Sequence, residues 1–158
     1  MDMEITLLSR RRSERGGARF YCRGIDDAGN CGNTVESEII IAHDNIVYSF
    51  VQIRGSIPLF WFQKQIGLKC EISIQRSAEL TSSPFRMHMS DLIAEYKNII
   101  IINLISKTKP EENRLTLELV NQLQNQSHLF KGNIKYIYYD FHEETKGDKF
   151  RKVNALLK

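Results

Sequence analysis

The sequence predicts a mixed α/β fold, in which an N-terminal antiparallel strand meander continues into a layer where helices and strands alternate. Two observations lead to this class. The first half of the chain carries short runs of β-branched and aromatic residues separated by turn-forming Asp, Gly and Asn, which is typical of neighbouring antiparallel strands. The second half alternates apolar residues at helical spacing with short apolar runs, which is the order expected of an α/β layer.

The first half favours short strands joined by tight turns. The meander is predicted over three segments: residues 18–25, 33–41 and 46–53. The Asp-Asp-Ala-Gly-Asn sequence at 26–30 favours the turn between the first two. After the meander we expect a polar loop over residues 63–69 and a short strand over 70–74.

The second half indicates helices and strands in alternation. Ser83 and Pro84 predict the start of an amphipathic helix, and Pro110 predicts the start of another, with Glu111 and Glu112 complementing its dipole. The apolar run 99–105 resembles a strand covered on both faces. The remaining elements are a strand over 134–139 and a third helix over 150–157.

Length and composition indicate one globular unit, residues 1–158, with a basic N-terminal segment over roughly 1–17. The net charge is only +3, but arginines are concentrated near the N-terminus. These are Arg10, Arg11, Arg12, Arg15, Arg19 and Arg23. Such a cluster attracts phosphate groups and anionic membrane surfaces. The alternative is a basic loop that is solvated and paired with acids elsewhere.

Several function classes have no support in the sequence. No nucleic-acid-binding pattern occurs, and no apolar run is long enough to span a bilayer. The three cysteines form no C-x-x-C pair and the four histidines lack metal-ligand spacing, so we expect no disulfide framework, metal site or cofactor. A reducing cytosolic setting fits this cysteine usage best.

One strand end has the composition of an anion contact. Arg54, Gly55 and Ser56 follow the apolar strand, and Pro58 then ends ladder pairing. A glycine beside an arginine permits unusual backbone angles and exposes its N–H, which together suit a bound anion. The alternative is that Arg54 is a solvated residue at a strand end, with Trp61 in the core.

A second candidate site for ligand binding or catalysis is the end of the strand over 134–139. Asp140 and His142 lie there, where ligands gather in open α/β sheets. Asp140 is a candidate general acid or orienting group, and His142 a candidate donor to a phosphate oxygen. The alternatives are that Asp140 caps the following turn and that His142 satisfies a buried carbonyl.

A misleading pattern runs from Cys70 to Arg76, which spells Cys-x5-Arg. A thiolate loop needs small or turn-forming residues whose N–H groups point at the phosphate. Here Ile72, Ser73 and Ile74 alternate like a strand, and Glu71 would raise the thiol pKa and repel phosphate. Cys70 is therefore interpreted as a structural strand residue.

Taken together, the motifs resemble the Sac-type phosphoinositide phosphatases, whose domain has a Cys-phosphatase-like fold. The resemblance covers about residues 9–155. It rests on Arg-Gly-Ile-Asp-Asp at 23–27, Asn-Thr-Val-Glu-Ser-Glu at 33–38, Gln-Ile-Arg-Gly-Ser at 52–56 and Tyr-Tyr-Asp-Phe-His at 138–142, with shorter matches at 10–13, 19–21, 29–30 and 101–105. Cys31-Gly32 and Ser37 depart from the family's pattern.

The resemblance implies hydrolysis of phosphomonoesters of phosphatidylinositol phosphates through a phosphocysteine. The family's nucleophile lies in a Cys-x5-Arg loop some tens of residues beyond the Asp-Phe-His block, so we expect it beyond Lys158 and expect this chain alone to be inactive. Arg54 and Arg23 are then the candidate headgroup contacts, with Gly55 and Ser56 beside them. Asp26, Asp27 and Glu36 are expected to hold arginines in position.

Two hypotheses remain open at this point. The chain is either a segment of a phosphoinositide phosphatase or a catalytically inactive remnant that binds phosphoinositides or a protein. In both cases the expected partners are phosphoinositide lipids or an anionic membrane surface, and the resemblance implies the cytosolic face of the endoplasmic reticulum or Golgi. We also expect the run 99–105 to expose apolar surface in the isolated chain.

Overall fold

The computed structural model describes residues 3–18, 21–66, 69–147 and 149–157. It has the predicted mixed architecture, with three small sheets and two long helices. A three-stranded antiparallel meander comes first, a two-stranded hairpin follows, and a helix–strand–helix–strand unit completes the fold. The fold class predicted from the sequence is confirmed.

The meander consists of β1 (Met3–Arg11), β2 (Val35–His43) and β3 (Ile46–Arg54), in that order across the sheet. β2 pairs with β3 through a two-residue turn whose Asp44 has a φ of 52°. β1 pairs with β2 from Met3 opposite His43 to Arg11 opposite Val35. The last two predicted strands are therefore confirmed within two residues.

The first predicted strand, residues 18–25, is wrong. In the part of this segment that the structure describes, tight turns replace it: the amides of Tyr21 and Cys22 both donate to the carbonyl of Ala18. Gly24, with a φ of 71°, then bends the chain out of extended geometry. Strand β1 takes the place at the sheet edge instead. Arg19 and Phe20 lie outside the described residues.

The predicted turn at 26–30 is confirmed. The Asp26 carboxylate accepts hydrogen bonds from the amides of Ala28 and Asn30, and Ile25 bridges Cys31. The Cys22 thiol donates to the Arg15 carbonyl, and Cys31 contacts His88.

The predicted polar loop over 63–69 is also wrong. Residues Trp61–Ile66 form β4, which pairs antiparallel with β5 (Lys69–Ile74). The polar residues of this segment form a strand because they pair with β5. Trp61 at the start of β4 is buried in the core and holds the hairpin against it.

Helix α1 spans Ala78–Tyr96 and begins five residues before the predicted Ser83. Its N-cap is Ser77, whose side chain accepts a hydrogen bond from the amide of Leu80. Pro84 lies inside the helix and is buried. Proline is favoured in the first helical turn, so its position predicts a helix start that the structure places earlier.

Two β-α units complete the chain. Strand β6 (Ile99–Asn103) pairs in parallel with β7 (Ile134–Tyr138), and α2 (Pro110–Asn125) connects them, beginning at the predicted proline. A short helix α3 (Phe141–Glu144), absent from the prediction, follows β7. The predicted third helix is a 3₁₀ helix over Phe150–Leu157. The main core joins α1 and α2 to the hairpin, and it contains Leu59, Trp61, Phe85, Met89, Leu115, Leu119 and Phe130.

Strand β6 is covered on one face. Ile101 packs against the core, whereas Ile100 and Ile102 on the opposite face are 59% and 44% exposed. The run 99–105 therefore presents the exposed apolar surface expected from the sequence. None of the helices in the described part of the chain has both the length and the apolar character that crossing a bilayer requires.

Candidate functional site

The Arg-Gly-Ser turn lies against the segment that contains Arg23. The amide of Gly24 donates to the Ser56 hydroxyl oxygen at 2.8 Å, and the amide of Ser56 donates to the Gly32 carbonyl at 3.0 Å. The structure thus brings Arg23, Arg54, Gly55 and Ser56 to one group of loops, although they are more than thirty residues apart in sequence.

Glycine suits position 55 for a different reason from the predicted one. The φ of Gly55 is outside the left-handed region. A Cβ at this position would instead lie 3.1 Å from the hydroxyl oxygen of Thr34, which is tighter than ordinary packing. The turn therefore depends on a close approach between two chain segments.

Arg23 and Arg54 differ in their surroundings. The Arg23 guanidinium lies 5.4 Å from the ring centre of Trp61 and donates to the side-chain oxygen of Gln63 at 2.8 Å, so its position is held by the hairpin. Arg54 is exposed, and its side chain makes no hydrogen bond or ion pair with any residue that the structure describes.

Two more arginines join this group. Arg15 donates to the carbonyl of Arg23 at 2.7 Å, and Arg11 donates to the carbonyl of Gly17 at 2.8 Å and to the side chain of Asn33. We call Arg11, Arg15, Arg23 and Arg54 the arginine cluster. Sequence reasoning singled out Arg23 and Arg54 but missed the contribution of Arg11 and Arg15, for which the N-terminal concentration of arginine was the available signal.

Acidic side chains pair with three arginines outside the cluster. Arg10 pairs with Glu36 and Glu38, Arg12 pairs with Glu95 at 3.4 Å, and Arg76 pairs with Asp27. Within the described part of the chain, Arg11, Arg15 and Arg54 form no ion pair. Positive charge therefore remains uncompensated around the loops that meet at Gly24 and Ser56.

Of the three acids expected to hold arginines in position, two do so in the structure. Glu36 and Asp27 contact Arg10 and Arg76 as expected. Asp26 instead binds backbone amides of its own turn. Glu36 also accepts a hydrogen bond from the hydroxyl of Tyr96, which ties β2 to the end of α1. Burial and this acceptor raise the pKa of Tyr96 well above its ordinary value.

Asp140 is the N-cap of α3 and accepts four hydrogen bonds. The donors are the amides of Glu143 and Lys107 and the hydroxyls of Ser106 and Tyr138. Burial alone would raise the pKa of Asp140, but these hydrogen bonds, the Lys107 amide foremost, outweigh burial and lower it. Asp140 is therefore a carboxylate at neutral pH.

His142 is exposed, and its ring makes an edge contact with Phe141. The alternative in which it satisfies a buried carbonyl is wrong. No hydrogen bond or ion pair among the described residues joins Asp140 or His142 to the arginine cluster. The supporting roles of these two residues stay predictions.

We expect Asp140→Ala to destabilise the fold by about 1–2 kcal/mol, because it removes the cap of α3 and an acceptor for the Lys107 amide. Since the pKa of Asp140 is lower in the folded chain, its contribution is present above the unfolded pKa of about 3.9 and is lost as the pH falls through the folded value. Urea unfolding of wild type and variant at neutral and at acidic pH measures the difference. Asp91→Ala, an exposed carboxylate on α1, is the control. A difference that persisted in acid would contradict the prediction.

Cys31 is buried beside His88, 3.6 Å from its Nε2. Burial raises the pKa of the Cys31 thiol to about 12. We expect iodoacetamide at about pH 8 to leave this thiol unmodified in the folded chain and to modify it in urea, because only a small thiolate fraction is present. Peptide mass spectrometry reads the modification, and rapid labelling of folded Cys31 would overturn the prediction.

The side chain of Cys70 is outside the described residues, but β5 passes through its position. The Cys-x5-Arg pattern from Cys70 to Arg76 therefore begins on a strand that pairs with β4, as the sequence predicts. Among the described residues, no group of three or more His, Cys, Asp or Glu side chains could hold a metal ion.

Comparison with known proteins places the whole chain in one family. The family model described as the SacI homology domain matches residues 1–146. The chain is 35% identical over 158 residues to polyphosphatidylinositol phosphatase INP53 of Saccharomyces cerevisiae, which involves 99% of this chain and 14% of that protein. Human synaptojanin-2 is 38% identical over 156 residues, involving 96% of this chain and 10% of that protein.

A plant relative extends the comparison. Phosphatidylinositol-3-phosphatase SAC1 of Arabidopsis thaliana is 36% identical over 169 residues, which involves 99% of this chain and 18% of that protein. The chain thus spans less than a fifth of the length of these relatives. Because both the family model and the relatives cover nearly the whole chain, it belongs to the SacI homology domain family of phosphoinositide phosphatases.

Proposed function

We propose that this chain is the segment of a phosphoinositide phosphatase that binds the phosphorylated inositol headgroup, while the cysteine nucleophile of the phosphocysteine step lies outside this chain. The observation that carries the proposal is the arginine cluster, in which Arg11, Arg15 and Arg54 meet no acid in the described part of the chain. Family membership supports a phosphoinositide as the ligand, since the relatives are named for that activity.

The chemistry of arginine suits this ligand. A guanidinium presents a planar set of donors that matches two phosphate oxygens and stays charged at every physiological pH. Arg54 is the exposed member with no intramolecular partner to displace, so it is the candidate for direct contact. The hydroxyl of Ser56 accepts the Gly24 amide and keeps its own proton available for a phosphate oxygen.

Asp140 and His142 have a supporting role in this proposal. Because Asp140 is ionised at neutral pH, its contribution would be to orient α3 and not to donate a proton. His142, exposed at the carboxyl edge of β7, would face the reacting phosphate in a longer protein that supplies the nucleophile.

The alternative function is a binding module without catalysis. Neither function uses Cys31, since a buried thiol with a pKa of about 12 is not a nucleophile at neutral pH. The two functions differ in what they require of a larger protein. In the first, adding the missing nucleophile loop restores phosphate release; in the second, it does not.

The test uses the purified chain and phosphatidylcholine vesicles that contain phosphatidylinositol phosphate. We expect sedimentation with these vesicles but no release of phosphate. Arg54→Gln should weaken binding about fivefold, since one arginine at an anionic surface contributes about 1 kcal/mol. Arg114→Gln, an exposed arginine on α2, removes the same charge elsewhere and should leave binding unchanged.

Three results would decide against the proposal. Equal weakening by Arg54→Gln and Arg114→Gln would indicate a general charge effect. Absence of binding would remove the headgroup role. Phosphate release by this chain would show that its own residues carry the nucleophile.

For localisation we propose the cytosolic face of endoplasmic reticulum or Golgi membranes, on the basis of the family resemblance. A fluorescent fusion of the full chain, imaged beside organelle markers, tests this. Uniform cytosolic fluorescence would contradict it.

A further inference from the structure

One face of the three-stranded sheet is apolar and exposed. Paired residues on neighbouring antiparallel strands project to the same side, so the register assigns each side chain to a face. The rows Ile5–Ile41–Tyr48 and Leu7–Ile39–Phe50 share one face. We call this side the apolar face. Leu7, Tyr48 and Phe50 on it are 68%, 58% and 62% exposed.

The opposite face has a different character. It carries the rows Leu8–Glu38–Val51 and Arg10–Glu36–Ile53, with Glu4 beside them. Glu36 on this side contacts Tyr96, so the C-terminal end of α1 lies on the acidic side of the sheet. The acidic side chains of this small sheet therefore all lie on one side, which also carries Leu8, Val51 and Ile53.

The charges on the apolar face are cationic and lie at one end. Arg11 and Arg54 share a row with Val35, four residues or about 13 Å along the strands from Leu7 and Phe50. Among the described residues of this face, from β1, β2 and β3, no side chain is acidic. Neither Arg11 nor Arg54 forms an ion pair in the described part of the chain.

We propose that the apolar face lies on an anionic lipid bilayer, with its isoleucine, leucine and aromatic side chains in the interface and Arg11 and Arg54 at the level of the headgroup phosphates. An apolar surface with arginines at one end, here beyond the polar row Ser9–Ser37–Gln52, is a pattern of interfacial membrane binding. The inference deepens the proposed function, because it explains how the arginine cluster would reach a lipid headgroup.

A second copy of the chain fits this face less well. In a face-to-face pair, Arg11 and Arg54 would be buried against apolar side chains or against the same row of the other copy. The face offers no acid to pair with them, and a buried unpaired guanidinium opposes association. A bilayer avoids this conflict because it supplies phosphates beside the apolar interior.

The test compares two substitutions on opposite sides of the sheet. Leu7 and Val47 are equally exposed, at 68%, but Leu7 is on the apolar face and Val47 is on the acidic side. We expect Leu7→Gln to weaken sedimentation with phosphatidylcholine–phosphatidylserine vesicles about tenfold and Val47→Gln to leave it unchanged. Urea unfolding of both variants verifies that the fold is intact.

A spectroscopic measurement reports the docked face directly. Phe50→Trp and Val47→Trp place a reporter on either side of the sheet, whereas the native Trp61 is buried in the core. Brominated lipids should quench the fluorescence of Phe50→Trp on vesicles and leave that of Val47→Trp unchanged. Equal quenching in both variants would overturn the proposal.

Two further outcomes separate this inference from its alternatives. If Leu7→Gln turns a dimer into a monomer in sedimentation equilibrium without changing vesicle binding, the face joins two copies and the proposal is wrong. If vesicles with phosphatidylserine bind as well as those with phosphatidylinositol phosphate, and Leu7→Gln weakens both, lipid docking holds while the proposed headgroup preference fails.

Discussion

Gly24→Ala is expected to destabilise the chain by more than about 3 kcal/mol, which is a large share of the stability of a small domain. Gly24 has a φ of 71°, where an L-residue with a Cβ costs about 1–2 kcal/mol. A Cβ there would also press against the carbonyl oxygen of Leu59 and lie 3.0 Å from the backbone nitrogen of Trp61. Leu59 and Trp61 both belong to the core, so their backbone cannot shift without disturbing the packing around it.

The matched control for this variant is Gly132→Ala. Gly132 has a φ of 80°, but a Cβ there would meet nothing within 4 Å, so the variant isolates the backbone cost. We expect a loss of about 1–2 kcal/mol at position 132 in urea unfolding. If both variants lost the same free energy of unfolding, the close approach at Gly24 would not contribute to the destabilisation. If Gly24→Ala does not accumulate as folded protein, soluble yield beside Gly132→Ala gives the same ranking.

Phe85→Ala should cost about 3–5 kcal/mol, the range for removing a fully buried aromatic side chain. Phe85 is 0% exposed on α1, and its ring centre lies 6.5 Å from that of Phe130. Its loss leaves a cavity between α1 and the elements that pack on it, and neighbouring side chains cannot collapse fully into that space. The free energy of unfolding in urea measures the effect.

Leu80→Ala on the same helix is the control, because Leu80 is 64% exposed and its loss should change stability by less than about 0.5 kcal/mol. Phe85→Leu keeps most of the apolar volume and should cost about 1 kcal/mol. The three variants therefore test burial rather than helix propensity. A loss below about 1 kcal/mol in Phe85→Ala would mean that this core is not tightly packed.

The elements predicted correctly are those whose local pattern and tertiary contacts agree. Helix α2 begins at Pro110 because proline suits the first helical turn and the two glutamates that follow favour the helix dipole. Strand β3 carries enough Val, Ile and aromatic residues to identify it without knowledge of its partner. No long-range information was needed for either.

The errors occur where distant contacts decide the local structure. β1 alternates Ile5 and Leu7 with polar residues, a strand pattern that the basic composition of the N-terminal segment obscured. β4 is polar along Gln63 and Lys64, yet it is a strand because β5 supplies its hydrogen-bond partners. Pro84 reads as a helix start, whereas the capping side chain of Ser77 places that start a turn and a half earlier.

The candidate site also has parts that the sequence identifies and parts that depend on tertiary contacts. The Arg-Gly-Ser and Arg-Gly-Ile-Asp-Asp motifs identified Arg54 and Arg23 and the family. Which N-terminal arginines keep their charge uncompensated is not visible in the sequence. Arg10 and Arg11 are neighbours, but strand alternation sends Arg10 to Glu36 on the acidic side and Arg11 to the opposite face.

By itself the sequence determined the family, the fold class and the residues that could contact a phosphate, because motifs and periodicity are local properties of the chain. The tertiary structure decided which side of the sheet is apolar, which arginines lie beside Ser56, and that Asp140 is a capped carboxylate. These depend on register and on contacts between distant segments, and a shift of one residue in the pairing would exchange the two faces.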